Sequence, residues 1–366
     1  MFERRLYIYL DWSLIAAVVL LCAIGLVMVY SATYDPTTER VGPEFYRQMW
    51  TLAVGLIGLA LCLMIDYRVI ADHAMLIYGG LVALLAYTLA FGVEVGGAQR
   101  WIGFGPLTLQ PSEFARIAIA LMLATLYAQS RNGARTAADW LVGAAFVVVP
   151  ITLIAREPDL GTAVTLLPVG LAIMVFAGLR LRLLAAIAVV AILVTPVAWT
   201  YALEDYQRTR IASFLDPGQD PQGAGYQQIQ ARIAVGSGGL SGEGFLQGAQ
   251  SQYNFLPVAH NDFIFSVLAE EQGFLGVVFT LGLYLFVILR ALDTARRAKD
   301  RIGMYLVVGI MAGFSFQVIY NVTMSAGLAP VKGLTLPLMS YGGSSIIATL
   351  IGFGLILNVK MRRFTN

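Results

Sequence analysis

Residues Gly236–Gly273 read GSGGLSGEGFLQGAQSQYNFLPVAHNDFIFSVLAEEQG. The stretch opens as a glycine-rich loop and ends as the start of an apolar helix, with Asp262 at the join. A carboxylate held beside hydrocarbon is expensive unless it has a partner or a task. On a helix that begins near Asp262, four-residue spacing puts Ser266 and Glu270 on its face, while Glu271 points away. Spacing alone leaves two readings open. Asp262 is a general base at the mouth of a helical bundle, or it is the N-cap of the helix that follows. The deeper acids Glu270 and Glu271 belong to the same site or to a structural polar network.

The rest of the chain fixes the setting. Of 366 residues, 58% are hydrophobic and 13% charged, where a soluble domain carries about 25% charged residues. An ordinary soluble enzyme is therefore excluded. The net charge of +2 gives no basic field for nucleic acid. Cys22 and Cys62 lie in apolar runs without the spacing of a metal or redox motif, so they read as small core residues. His260 adjoins Asp262 but has no second histidine near it, which argues against a zinc site and for a structural or orienting role. The N-terminal MFERRLYIYLDW reads as a cytoplasmic flank, since the apolar run after it is too long for a removable signal peptide.

A membrane-crossing helix needs roughly 20 mostly apolar residues. That length is met by Leu14–Thr33, Gln48–Ile65, Ala74–Val93, Leu160–Leu179 and Leu183–Leu203. Shorter or polar-edged candidates are Ser112–Ser130 and Trp140–Ala155, followed by Asp262–Leu289, Ile302–Gly327 and Ser340–Val359. The sequence thus predicts an all-α polytopic membrane protein, a single domain over residues 1–366 with ten transmembrane helices. Pro150, Pro168 and Pro196 fall inside spans, where bundle neighbours can satisfy the freed carbonyls. With a cytoplasmic N-terminus, most basic residues fall on inner segments, among them Arg68, Arg180, Arg290, Arg296, Lys360 and Arg363. Both termini are then cytoplasmic. The cations left on the outer side, including Arg47, Arg100, Arg116, Arg156, Arg210 and Lys332, are the exceptions that call for a reason. The long extracytoplasmic loop 204–261, between the seventh and eighth helices, keeps apolar residues such as Ile211, Phe214, Ile229 and Leu256. It is expected to pack onto the bundle. No inverted repeat of the transporter kind is visible.

Several outer-face groups could carry chemistry. Arg100–Trp101 pairs a cation with a flat aromatic suited to a phosphorylated, sugar-bearing lipid, against the plainer reading of Trp101 as an interfacial anchor. Glu113 and Arg116 are close enough along a helix to pair. In AREPDLGTAV, Asp159 is either an N-cap or a polar group of the site. Arg47 is a candidate phosphate contact. Lys332 is the lone charge in GLAPVKGLTLPLMSYGGSS, whose prolines and glycine pair suggest irregular backbone lining a cavity.

The ordered set GAQRW, QPSEFAR, PDLGT, DPGQDPQGAGYQ, AVGSGG, G-QSQ-NFLP, H-DFIF-V-AEE-G and PLMSYGGSS resembles the SEDS family (shape, elongation, division and sporulation), most of all its RodA branch. The resemblance runs over nearly the whole chain, and the short termini favour RodA over the division-type FtsW branch. It implies a ten-helix peptidoglycan glycosyltransferase of the bacterial cytoplasmic membrane that polymerises lipid II into glycan strands on the outer face during cell elongation. The partners it implies are a class B penicillin-binding protein and other elongation-complex membrane proteins. It places the family's essential aspartate on Asp262 and its loop tryptophan on Trp101, and matches further polar positions to Arg47, Glu113, Arg116 and Asp159. Departures are Val258, Ala259 and Asn261, Glu157 in place of a usual glutamine, and Lys332 and Thr335.

Joining two lipid-linked disaccharides with inversion needs one base, for which Asp262 is the candidate, and fixed cations for the departing pyrophosphate, for which Arg47, Arg116 and Lys332 are available. A divalent cation, Mg2+ or Mn2+, is expected near Asp159, Glu113 or Asp262 if one is used. The rival expectations are a flippase for the lipid-linked precursor, a non-catalytic scaffold, and a division-type polymerase.

Overall fold

The computed structural model describes residues 9–95, 98–104, 107–129, 136–180, 182–186, 189, 193, 205–220, 223–253 and 255–364. In chain order the elements begin with α1 (Trp12–Thr33), β1 (Tyr34–Asp35), β2 (Arg40–Val41), α2 (Pro43–Met64), α3 (Tyr67–Asp72) and α4 (Ala74–Phe91). Then come β3 (Val93–Val95), β4 (Ala98–Phe104), β5 (Leu107–Leu109), α5 (Ala115–Gln129), α6 (Ala137–Arg156) and α7 (Leu160–Phe176). The second half holds α8 (Asp205–Leu215), α9 (Ala224–Ser237), α10 (Ala249–Gln252), α11 (Ile264–Arg296), α12 (Arg301–Ser325) and α13 (Gly343–Met361).

Eight helices among the described residues are long and apolar enough to cross a membrane, and the shorter apolar α7 joins them. The expected seventh span, Leu183–Leu203, falls largely outside the described residues. The all-α expectation needs one addition. The chain also forms two small antiparallel sheets, β1–β2 and β3–β4–β5, the latter in the connection between α4 and α5 with Val93 opposite Trp101 and Ile102 opposite Leu109. These strands are too short for a periodicity signal to stand out.

Helix starts follow local chemistry. Asp11 accepts the Leu14 amide at 3.2 Å, Pro43 opens α2 after Gly42, Thr136 and Asp139 form a reciprocal capping box, and Asp159 and Asp300 cap α7 and α12. Pro150 and Pro168 sit inside α6 and α7, as a buried bundle permits. At the centre lies α13, buried nearly all round and packed along α2. Lipid tails give helices no hydrophobic drive to associate, so close packing matters. At Gly354 a Cβ would come 2.9 Å from the Leu59 carbonyl oxygen.

The two ends of the bundle differ. At one end Asp11 takes both Arg290 (2.8 Å) and Lys360, Asp300 takes Arg68 (2.9 Å) and Tyr67, and Arg362 reaches Asp66. At the other end gather Arg47, Arg100, Trp101, Asp159, Asp262 and the segment 327–342, which has no regular structure between α12 and α13. Loop 204–261 is largely helical where described. It packs down as expected, with Ala231, Ala234, Leu256 and Ala259 buried against Phe263, Val267, Met324 and Val331.

The helix expected to start at Asp262 starts at Ile264 and breaks at Gly273, where φ is +62°. The backbone groups freed by the break are bonded by the glycine-rich loop. Glu243 and Gly244 donate to the Glu270 and Glu271 carbonyls at 2.9 and 3.1 Å, while Phe274 and Leu275 donate to Gly239 and Leu240 at 2.9 and 3.1 Å. Irregular backbone inside a membrane bundle is tolerable only when paired in this way.

Candidate active site

A polar cavity of about 460 Å3 opens at the end of the bundle that carries Arg47 and Asp262, among α2, β4, β5, α7 and the segments before α11 and α13. Arg47, Arg100, Trp101, Glu113, Asp159 and Asp262 all line it, with Gln110, Thr162, Asn261, Thr335, Tyr341 and Ser345. A larger cavity of about 540 Å3, walled by Leu81, Phe114, Leu121 and Leu355, is apolar throughout and lacks convergent polar groups. The polar cavity is therefore the candidate site.

Asp262 sits in a turn closed by the Asn261 and Asp262 amides on the Val258 carbonyl, at 3.0 and 3.3 Å. It does not cap α11. Phe263 occupies the N-cap position and makes no side-chain cap bond. The Asp262 backbone carbonyl is fixed by Asn321 Nδ2 at 2.8 Å, whereas no described residue donates a hydrogen bond to its carboxylate. Burial pushes that carboxyl up to about 6, with Asp159 adding to the rise and Arg210 opposing it. An aspartate with no structural duty and a pKa raised toward neutrality has the profile of a general base.

Asp159 does two things. Its Oδ1 accepts the Thr162 amide at 3.1 Å, so the N-cap reading holds, and its Oδ2 accepts Thr162 Oγ1 and Gln110 Nε2, both at 2.9 Å. It also lines the cavity, 3.8 Å from Arg100. Arg100 is fixed by donating to the Glu157 and Pro158 carbonyls at 2.8 and 2.7 Å, and its guanidinium lies 5.9 Å from the Trp101 ring centroid. Strand β4 thus presents the cation and the aromatic as one rigid unit.

The remaining candidates separate. Glu113 and Arg116 form the expected ion pair at 2.9 Å. Arg116 is buried and also bonds Gln317, whose amide bonds the Thr335 carbonyl. It braces Glu113 and the 327–342 segment and does not line the polar cavity, so it is a poor contact for a pyrophosphate. Arg47 lines the cavity with an exposed side chain. Lys332 lines a smaller pocket next door, its ammonium 5.7 Å from the Tyr320 ring. Glu270 and Glu271 lie outside the site. Glu270 accepts the Gln250 and Ser251 amides at 2.7 and 3.2 Å, and Glu271 accepts Ser31 Oγ, so the structural-network reading holds for both. His260 lies against Tyr341 at 5.6 Å, and its carbonyl accepts the Tyr341 amide.

Among the described residues no group of three or more His, Cys, Asp or Glu could hold a metal. Asp159 is committed to Thr162 and Gln110, and Glu113 to Arg116, which leaves Asp262 as the open carboxylate. Such a donor set suits a cation shared with substrate phosphates rather than one caged by protein. Gln110, Thr162 and Asn321 went unnoticed in the sequence as site residues, and Arg210 stood out only as one of several cations left on the outer side. QPSE and PDLGT held a signal for the first two, but Asn321 carries none.

The profile of the FtsW/RodA/SpoVE family, described as cell cycle protein, matches residues 11–364. The peptidoglycan glycosyltransferase MrdB of Escherichia coli K12 is 38% identical over 338 residues, 92% of this chain and 91% of that protein. The peptidoglycan glycosyltransferase RodA of Treponema pallidum is 33% identical, covering 96% of this chain and 98% of its own length. Among solved structures, a chain of a peptidoglycan synthase complex that coordinates polymerization and crosslinking superposes with a TM-score of 0.84 at 34% identity, over 98% of this chain and 99% of that one. The crystal structure of the Thermus thermophilus rod shape determining protein RodA gives 0.73 at 31% identity, covering 98% of each chain.

Proposed function

The chain belongs to the FtsW/RodA/SpoVE family and is a multi-pass membrane peptidoglycan glycosyltransferase, and from that premise we propose that Asp262 is the general base of lipid II polymerisation. The observation that carries this reading is the open Asp262 carboxylate, facing Arg47, Arg100 and Trp101 across one polar cavity. Asp262 removes the proton from the sugar hydroxyl that attacks, Trp101 offers a face to a sugar ring, and the fixed Arg100 orients the phosphorylated end of the substrate. Asp262 and Asp159 would hold a divalent cation such as Mg2+ or Mn2+, which would supply neutralisation of pyrophosphate charge.

The architecture behind this is one domain with ten spans and both termini cytoplasmic. Helix α7 runs away from the site end, whereas Arg210 of α8 lies back at it. Ten spans include the expected seventh, Leu183–Leu203, most of which lies outside the described residues, and with it loop 204–261 is extracytoplasmic. The end rich in Arg and Lys is cytoplasmic by the positive-inside tendency, so the site faces outward from the bacterial cytoplasmic membrane. The partner is a class B penicillin-binding protein, in line with the synthase complex that the chain resembles. Other membrane proteins of the elongation machinery join them, and elongation is the process served, a reading supported by the likeness to the rod shape determining protein RodA. The clustering of site groups at one end of the bundle favours one-sided chemistry over transport of the precursor.

Two measurements probe the reading. Trp101→Ala in proteoliposomes is expected to slow glycan formation roughly tenfold, equivalent to ~1.4 kcal/mol, with unchanged insertion and melting. Full activity would leave Trp101 as an interfacial anchor. The rate is also expected to fall as pH drops through about 6, where burial has placed the Asp262 carboxyl. A base works only when unprotonated, so activity is complete above that value and lost below it. A profile flat to pH 5, as an ordinary aspartate near 3.9 would give, removes Asp262 from the role.

A further inference from the structure

The polar cavity has a smaller neighbour of about 210 Å3, and Arg100, Asp159 and Gly333 line both. Those three residues form the divide between the two spaces. Asp262 lies on the larger side; Arg210 and Lys332 lie on the smaller side only. Among the described residues that line it, the small pocket has Arg100, Arg210 and Lys332 beside the Asp159 carboxylate, which already accepts from Thr162 and Gln110. Lys332 is partly buried, which disfavours its charge unless an anion is delivered, and the face of the Tyr320 ring 5.7 Å from its ammonium offsets only part of that cost. Burial lowers the Lys332 pKa from its ordinary value, and Arg210 lowers it further, which fits two cations converging on one small space.

Resting on Asp262 as the base, we propose that this pocket receives the leaving lipid diphosphate of the glycosyl donor, with Arg210 and Lys332 as its counter-charges. In the step itself, the acceptor hydroxyl oxygen bonds to the donor anomeric carbon and its proton passes to Asp262. The bond from that carbon to the diphosphate oxygen breaks, and its electron pair stays on the diphosphate. Inversion requires the entering and departing oxygens to lie on opposite sides of the carbon. An anomeric carbon held at the divide is attacked from the Asp262 side and releases its diphosphate toward Arg210 and Lys332.

Gly333 has φ +69°, left-handed backbone that glycine adopts without strain, and it brings the divide close to Asp262, since a Cβ there would stand in ordinary contact with Asp262 Oδ2 at 3.5 Å. The volumes agree with this division. The small pocket falls below the roughly 300–1,000 Å3 that holds a drug-sized ligand, enough for a diphosphate, while the larger cavity takes the sugars. The assignment moves the burden of the leaving group from Arg47 and Arg116 to Arg210, a residue of α8 in the long loop.

The test is product inhibition. Wild type, Arg210→Gln, Lys332→Gln and Arg47→Gln are reconstituted in vesicles, supplied with lipid II, and titrated with undecaprenyl diphosphate, the departing product. The inhibition constant is expected to rise about tenfold or more in Arg210→Gln and Lys332→Gln and to stay put in Arg47→Gln, with melting unchanged. If Lys332→Gln fails to fold, Arg210→Gln, an exposed side chain, carries the test alone. Wild-type inhibition of Arg210→Gln, or an equal loss in Arg47→Gln, overturns the assignment and puts the diphosphate in the larger cavity. A wild type that makes no glycan from lipid II overturns the reading of the site itself, so the two failures are distinguishable.

Discussion

Asp262→Asn is expected to lose roughly 100- to 10,000-fold in polymerisation, the range that a positioned general base contributes, while it still inserts and binds lipid II. The side chain is isosteric and the Asp262 backbone carbonyl keeps its bond from Asn321, so the surrounding turn has no reason to move. The loss is then chemical. The same substitution should raise the melting temperature near neutral pH. The folded-state pKa lies above the ordinary value, so holding the carboxylate ionised costs stability above that ordinary value, on the order of 1–3 kcal/mol at pH 7. The cost fades as pH falls below about 6, and the gap between the two melting curves should close there. Asp262→Asn melting below wild type, with activity lost, would mean that the carboxylate supports the fold instead.

Gly242→Val is expected to cost about 3 kcal/mol or more, through left-handed backbone and steric overlap together. Gly242 has φ +83°, and a Cβ there would collide with the Glu271 carbonyl oxygen and come 2.7 Å from the Gln272 amide nitrogen. The loop cannot retreat without surrendering the bonds that cap the broken α11 on both sides of Gly273. The half-helix 264–272 follows directly after Asp262, so loosening its far end should also lower activity. Gly236→Val is the control, because a Cβ at Gly236 meets nothing within 4 Å. Equal melting of the two variants would show that the loop does not anchor the break.

What could be read from the chain alone, and what could not, follows from the range of the forces involved. Apolar runs of membrane length are local signals, so the eight long apolar helices among the described residues were visible, and Arg47, Arg100 and Arg210 could be marked as cations before any contact was known. Asp262 and Asp159 both carried a capping alternative, and geometry divides them: Asp159 caps and lines the site, whereas Asp262 only faces it. Glu270 looked like a second site acid because it shares a helical face with Asp262, yet its oxygens are spent on a loop about twenty residues earlier. Arg116 looked like a phosphate contact because nothing in its vicinity reveals Gln317, 201 residues away. The helix break at Gly273 and the role of Arg210 depend on the same kind of distant pairing.

Polymerisation turns on proton removal by one side chain. The direct test is single-turnover glycosidic bond formation from lipid II, with wild type and Asp262→Asn reconstituted side by side and lipid II binding measured on the same vesicles. Equal binding, with bond formation in wild type alone, is the predicted result. Bond formation by Asp262→Asn at the wild-type rate would contradict it.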